Sequence, residues 1–333
     1  MKLPGLAAGV LLLAVHSGPC QTPASSQPGP PETSEGRPLF TFRSALWVNL
    51  HHFLYVLGRA RNQTPDSHRA AVANAPADTQ GFDSLSAAER ETWERAIAYY
   101  QKSVSPKDAV FDSDLVAMTN AVAAAGDASS LAGANIPAPM RTVLEEAAAV
   151  YRKVWWERHA RSDRARTEEL QGLLARYGRP ISATLTKAYQ QAWPSGGLTV
   201  QMCAYANWAG AYSTAGRLIV LASTADGMAG SEGLETVFHE AMHQWDDAMI
   251  PRLREAAERR HVDIPHNLFH SLIFYTAGWA TARVVPGHRP YAEPLWARGL
   301  PGKPQLDQYW LPYLKGDGTL AAALDRLVGS FAK

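Results

Sequence analysis

The sequence predicts an α+β fold that is mainly helical. Residues 40–179 are rich in Ala and Leu and are divided by short breaks at proline and glycine, a pattern typical of successive helices. Leu198–Ala206 and Arg217–Ser223 are rich in β-forming residues, and a small, turn-like stretch separates them. They predict a hairpin or two adjacent strands. A helix from about Leu234 to Ala248 is expected next. We therefore expect a helical first half, followed by a half that combines a small sheet with further helices.

The composition indicates a globular chain and limits its chemistry. Hydrophobic residues make up 46% of the 333 residues and charged residues 19%, which is enough to build a sizeable core. Lys and Arg (32) nearly balance Asp and Glu (31), which argues against a nucleic-acid-binding protein. The two cysteines exclude a disulfide scaffold and a zinc site made of four thiolates. A metal site in this chain must therefore depend mainly on nitrogen and oxygen ligands.

The N-terminus is typical of an exported protein. Residues 1–18 are interpreted as a signal peptide, with Lys2 before the apolar run Leu6–Val15. That run is shorter than the about 20 residues needed to span a bilayer, and no transmembrane segment is expected after its removal. Residues 19–39 form a Pro-rich tether. We expect a periplasmic or secreted protein; lipoprotein anchoring at Cys20 is the alternative that the preceding proline disfavours.

Two helices of the first half have recognisable end signals. Ser86 and Glu89 have the spacing of a capping box, which predicts a helix start. A second helix is expected from about Pro139 to Tyr177. Gly178 followed by Pro180 is the signal that should end it.

The helix expected after the strands contains an HExxH sequence, His239-Glu240-Ala241-Met242-His243. Residues four apart share one face of a helix, so both imidazoles can reach a single metal ion. Glu240 lies beside that face, where it can orient and deprotonate a water activated by the metal without being a ligand. The flanking residues Val237, Phe238 and Trp245 are apolar. The motif therefore predicts a buried zinc site with His239 and His243 as ligands.

With this motif and the strands before it, Leu198–Gly299 resembles the zincin metallopeptidases. The resemblance implies that residues 180–333 form a zincin-like catalytic region that uses Zn²⁺ to hydrolyse a peptide or protein substrate. It also implies that an edge strand before the active helix pairs with extended substrate. Arg217–Ser223 or Gly210–Thr214 would supply that strand. The helical region 40–179 resembles no family that we can name.

The third metal ligand has to come from outside the motif. The metzincin pattern would place glycine and histidine where this chain has Asp246 and Met249, so that subfamily is excluded. The order of segments is similar to that of gluzincins, in which a second helix supplies the ligand, normally a glutamate. Here the apolar segment Ile264–Gly278 offers histidine instead, and we expect His270 to be the ligand because a buried imidazole needs a partner. The alternatives that stay open are His266, Glu255 and Glu258.

Tyrosine is the residue type we expect to stabilise the developing oxyanion. Zinc peptidases commonly use a Tyr, His or Arg donor for this purpose, and Tyr275 and Tyr291 are the candidates here. Asp246 or Asp247 could orient a ligand histidine by hydrogen bonding to it.

These observations favour an exported zinc-dependent hydrolase, most simply a metallopeptidase in which Glu240 is the general base. A second hypothesis is a non-catalytic envelope interaction protein with a degraded or structural zincin site. The intact Glu240 favours the enzyme, because a structural zinc site needs no base. A third hypothesis is a zincin-type hydrolase that acts on a non-peptide amide. The sequence makes no prediction of oligomeric state.

Overall fold

The predicted fold class is confirmed by a computed structural model, which is mainly helical with a small mixed sheet. The structure describes residues 37–62, 76–207, 209–214 and 218–332, which belong to one compact unit. The expected signal peptide, Cys20 and nearly all of the Pro-rich tether lie outside the described residues. No helix in the described ranges is both long enough and apolar enough to cross a membrane.

The first half is a group of helices that pack around one of their number. The elements are β1 (Phe40–Arg43), α1 (Leu46–Arg61), α2 (Pro76–Asp83), α3 (Ala87–Ser103), α4 (Ser113–Ala125) and α5 (Ala138–Tyr151). Helix α1 is the central one: it contacts α3, α4 and α5, and large aromatic side chains such as Trp47, Phe53 and Trp93 are buried between them. The predicted capping box is confirmed, since Ser86 Oγ accepts from the Glu89 N–H and Glu89 Oε2 accepts from the Ser86 N–H.

Helix α2 is attached to later parts of the chain through the buried carboxylate of Asp78. Its Oδ1 accepts hydrogen bonds from Arg158 and from His159 Nε2, the latter at 3.0 Å, and its Oδ2 accepts one from the Tyr205 hydroxyl. Burial alone would raise the pKa of Asp78. The hydrogen bonds and charges of these partners outweigh burial and lower the pKa to about 2.

The helix expected to end at Gly178 continues past it. Gly178 has the helical φ of −60° and not the left-handed conformation that ends helices. Pro180 lies in the first turn of the next helical segment, where a missing N–H is tolerated. The run after α5 comprises a π-helical segment (Arg152–Trp156), α6 (Glu157–Leu173), a second π-helical segment (Leu174–Gly178) and α7 (Arg179–Tyr189).

The described residues form a four-stranded sheet of β1, β2 (Leu198–Cys203), β3 (Ala211–Ser213) and β4 (Leu218–Ala222), in the order β1-β2-β4-β3. Strand β2 pairs in parallel with β1 on one side and with β4 on the other. The two β-rich segments are therefore adjacent strands and not a hairpin. Between them in the sequence, β3 pairs antiparallel with β4 and lies at one end of the sheet. Strand β1 lies at the other end, although the sequence places residues 40–43 in the helical region.

The expected helix from Leu234 to Ala248 is divided in two. Helix α8 (Gly230–Met242) ends just before His243, a 3₁₀ turn (His243–Trp245) follows, and α9 (Asp246–Arg260) begins after it. Pro251 lies inside α9 and cannot donate to the carbonyl of Asp247, but Asp247 is exposed, so water can reach that carbonyl. The later elements are α10 (Leu268–Ala282), α11 (Glu293–Ala297), α12 (Lys303–Gln305), a π-helical segment (Leu306–Trp310), α13 (Leu311–Leu314) and α14 (Leu320–Gly329).

Helix α8 is the central element of the second half. It packs against α6, α10 and strands β3 and β4, and its residues from Gly233 to Met242 are all buried. The HExxH sequence therefore lies between the antiparallel end of the sheet and helix α10.

Candidate metal centre

Three histidines from two parts of the second half converge on one point. His239 lies on α8, His243 in the turn after it and His270 in the first turn of α10, and one ring nitrogen from each lies within 4.8 Å of the others. His239 Nε2 and His270 Nε2 are 3.0 Å apart. Two nitrogens on one tetrahedral zinc ion lie about 3.3 Å apart, from a Zn–N distance of 2.0–2.1 Å. Within the described ranges, no other group of three or more His, Cys, Asp or Glu side chains shows comparable convergence.

The ring of Phe274 forms one wall of this histidine cluster. Phe274 lies one turn after His270 on α10, and its ring centroid is 4.1 Å from that of His239 and 4.7 Å from that of His270. The apolar wall limits water on this side of the cluster.

His239 and His270 are held in the neutral state that binds metals. Burial, followed by the neighbouring imidazoles, lowers the pKa of His239 well below its usual value. Burial and the charge of His243 lower the pKa of His270 to about 4. His239 Nδ1 is buried, and no described residue hydrogen-bonds to it. Neutral imidazole nitrogens that face one another at hydrogen-bonding distance fit a divalent metal such as zinc.

The end of α8 at Met242 orients the third imidazole. Because α9 begins at Asp246, its carboxylate comes back to His243, and His243 Nδ1 donates to Asp246 Oδ2 at 3.0 Å. This bond leaves Nε2 of His243 free to ligate a metal. Burial lowers the pKa of His243, but the hydrogen bond to Asp246 and the charges of Glu240 and Asp246 outweigh burial and raise it.

The Glu240 carboxylate lies beside the histidine cluster and is oriented by the edge strand β3. Ser213 Oγ lies 2.6 Å from Glu240 Oε2 and 2.7 Å from the carbonyl oxygen of Glu240, so its single proton bonds one of these two oxygens. Burial raises the pKa of Glu240, although His243 and Ser213 oppose the shift. A carboxylate with a raised pKa is a stronger base at neutral pH.

The other residues considered as a third ligand lie outside the cluster. His266 is exposed and its Nδ1 lies 3.0 Å from Asn267 Oδ1. Glu255 is exposed and accepts from Arg259 at 2.8 Å, and Glu258 is exposed on the same helix. Of the four candidates, the structure brings only His270 to the HExxH histidines.

The two candidate tyrosines lie in different places. Tyr275 is about 140° around α10 from His270, and its hydroxyl donates to Asp307 Oδ1 at 2.7 Å. The structure therefore does not bring Tyr275 to the cluster. Tyr291 lies nearer to the histidine cluster than Tyr275 does. Its ring stacks on that of Phe274, which borders the cluster, with ring centroids 6.1 Å apart. No described residue hydrogen-bonds to the Tyr291 hydroxyl.

Sequence reasoning missed Ser213 and the ring of Phe274. Ser213 lies in a three-residue strand, too short for a period-2 pattern, and its contact with Glu240 is made between elements. It also missed Glu235, which lies one turn before His239 in the same buried helix. A charged residue among apolar neighbours needs a partner. This rule, applied to Glu235, could have predicted a buried partner for its carboxylate.

Comparisons with protein-family models, with curated proteins and with solved structures found no match to this chain.

Proposed function

We propose that this chain is a zinc-dependent hydrolase of the zincin type, most simply a metallopeptidase. His239, His243 and His270 would hold the zinc ion, and Glu240 would be the general base. The observation that carries the proposal is the convergence of three imidazole nitrogens within 4.8 Å, with a buried carboxylate next to them that belongs to the same motif.

Each residue has a distinct part in the proposed reaction. A zinc ion held by the three histidines would act as a Lewis acid. Glu240 takes a proton from the attacking water and passes it to the leaving amine, while Ser213 holds the carboxylate in place. Asp246 fixes the ring orientation of His243. Tyr291 is the proposed donor to the developing oxyanion, because its hydroxyl has no described partner and its ring borders Phe274.

The position of β3 supports a peptide as the substrate. This strand ends the sheet in the described residues, and its Ser213 contacts Glu240. An extended peptide that adds to such a strand gains main-chain hydrogen bonds, and its scissile bond would then lie near the base. A small non-peptide amide lacks the extended main chain that pairs along a strand edge.

The proposal is tested by comparing metal content and turnover in wild-type protein and Glu240→Gln. We expect about one zinc per chain in both, because Glu240 is not a proposed ligand. Cleavage of a mixed peptide library should fall by about 10²–10⁴-fold in Glu240→Gln. Glu258→Gln, which removes an exposed carboxylate from α9, is the matched control and should match wild type.

The possible outcomes separate the hypotheses. Absence of zinc uptake by the wild-type protein would refute the metal site. Stoichiometric zinc without cleavage of any peptide or other amide would favour the non-catalytic envelope protein. Cleavage of non-peptide amides alone would correct the substrate class. Equal turnover by wild type and Glu240→Gln would refute the role of Glu240.

A further inference from the structure

The segment that follows α10 is attached to α8 by a buried carboxylate. Glu235 Oε2 accepts from His288 Nε2 at 2.6 Å and from the main-chain N–H of Tyr291 at 2.9 Å. The other ring nitrogen of His288, Nδ1, lies 2.9 Å from Oγ of Ser231, which is on α8 like Glu235. The side chains of His288 and Glu235 are 0% and 1% exposed. Both hydrogen bonds that Glu235 accepts therefore hold the same loop, residues 283–292, which we call the Tyr291 loop.

Stability alone does not account for a buried pair of this kind. Removing a carboxylate from water is unfavourable even when its oxygens accept hydrogen bonds. Burial raises the pKa of Glu235, although His288 and the Tyr291 N–H oppose the shift. What the pair provides is a fixed geometry for the main chain at Tyr291.

Two glycines allow the Tyr291 loop to approach the site closely. A Cβ on Gly278 of α10 would lie 2.7 Å from Pro290 Cβ and 3.1 Å from Glu235 Oε1, so a larger residue would displace the loop. A Cβ on Gly227 would lie 3.1 Å from Cε2 of Tyr291. The Tyr291 ring is thus confined between Gly227 and the Phe274 ring, which itself lies against His239 and His270.

We propose that Glu235 and His288 are positioning residues, which fix the main chain at Tyr291 and thereby hold its phenol beside the metal centre. This inference rests on the proposed function, because it assigns Tyr291 a part in the same reaction. Glu235 and His288 act through Tyr291 and do not contact the substrate themselves.

The first measurement follows backbone hydrogen exchange by mass spectrometry and needs no turnover. Glu235→Gln should lower protection of the Tyr291 loop by about 10-fold or more, because an amide oxygen accepts the same two hydrogen bonds more weakly than a carboxylate. His288→Gln should lower it to a similar extent, because it removes the imidazole that bonds both Glu235 and Ser231. Zinc content should stay at the wild-type value. Glu258→Gln, which removes the same charge from an exposed site, should leave protection of the loop unchanged.

The second measurement is a double-mutant cycle on kcat. Tyr291→Phe alone should lower kcat by about 10²-fold, the usual cost of one oxyanion donor. Glu235→Gln alone should lower kcat by about 10- to 100-fold with a smaller effect on KM, as expected for a misplaced group. In the Tyr291→Phe background, Glu235→Gln should cost less than about 2-fold, because the group that it positions is already absent.

Gly278→Ala disturbs the same contact without removing a polar group. The added methyl group should push Pro290 away, so protection of the Tyr291 loop and kcat should both fall while zinc content stays the same. This variant keeps the proposal falsifiable if both polar variants fail to fold.

The outcomes distinguish this inference from the proposed function. Unchanged protection of the Tyr291 loop in Glu235→Gln, His288→Gln and Gly278→Ala overturns the inference, even if the protein is an active peptidase. Loss of protection with strictly additive effects on kcat also overturns it, because the pair would then not act through Tyr291. Loss of protection in a chain that cleaves no substrate supports the attachment of the loop and refutes the proposed function alone.

Discussion

Replacing His270 with alanine removes one of three converging nitrogens and leaves the HExxH helix intact. His239 Nε2 loses its neighbour at 3.0 Å, and no other described His, Cys, Asp or Glu takes that place in the cluster. The free energy of zinc binding to structural sites with four ligands is about 10–16 kcal/mol at pH 7, which is about 2.5–4 kcal/mol per ligand. We therefore expect His270→Ala to raise the dissociation constant for zinc by about 10²–10³-fold.

The affinity is measured by competition with a chromophoric chelator, with circular dichroism and thermal unfolding to show that the variant is folded. His266→Ala is the matched control, since it removes an exposed imidazole four residues earlier in the same segment. We expect His266→Ala, Glu255→Gln and Glu258→Gln to bind zinc within about 2-fold of wild type, because all three side chains lie outside the cluster. Wild-type affinity in folded His270→Ala would refute the reasoning. A large loss in His266→Ala would move the third ligand to that residue.

Two further predictions concern the histidine cluster and its surroundings, one concerns Asp78, and one concerns the N-terminus. Asp246→Ala should weaken zinc binding by about 10- to 100-fold, the usual cost of losing a carboxylate that orients a ligand histidine; an unchanged affinity in the chelator competition would contradict this role. Tyr291→Phe should lower peptide turnover while Tyr275→Phe should not, because the Tyr275 hydroxyl donates to Asp307; assays of the two variants side by side decide between them. Asp78→Asn should lower the free energy of unfolding at pH 7 by about 2 kcal/mol, from the loss of charged hydrogen bonds. The pKa of Asp78 is about 2 in the folded protein and 3.8 ordinarily, so the ionised carboxylate stabilises the folded protein above about pH 4. The difference in free energy of unfolding between Asp78→Asn and wild type should therefore shrink as the pH falls from about 4 to about 2. Denaturant titrations that show a constant difference over this range would contradict the prediction. The mature chain should begin between Gly18 and Cys20; N-terminal sequencing of the protein from its native host checks this, and a cytoplasmic pool that retains residues 1–17 would contradict export.

Local signals predicted the parts of the site that lie close together in sequence. The i, i+4 spacing of His239 and His243 and the capping box at Ser86 each depend on one helical turn. His270 was chosen because an imidazole in an apolar segment needs a partner, and this argument holds at any sequence distance.

Most other contacts between elements could not be predicted from the sequence. The four residues of β1 carry almost no pattern of their own, and their partner strand is 158 residues later. Helix α8 ends at Met242, six residues before the expected end at Ala248, and Pro251, which lies beyond that expected end, is instead inside α9. Ser213 is linked to Glu240 only because β3 lies against α8.

The pairing of β1 with β2 has a consequence for how the chain reaches its native state. Closing a loop of 158 residues costs about 2.4 kcal/mol more in chain entropy than closing a ten-residue hairpin, from the logarithmic dependence on loop length. Parallel strands so far apart raise the contact order and slow folding. The sheet therefore cannot assemble while the chain is still emerging N-terminus first, and residues 40–43 must wait for Leu198–Cys203. In a chain that is made N-terminus first, β1 is therefore without its partner strand until more than half of the residues have been synthesised.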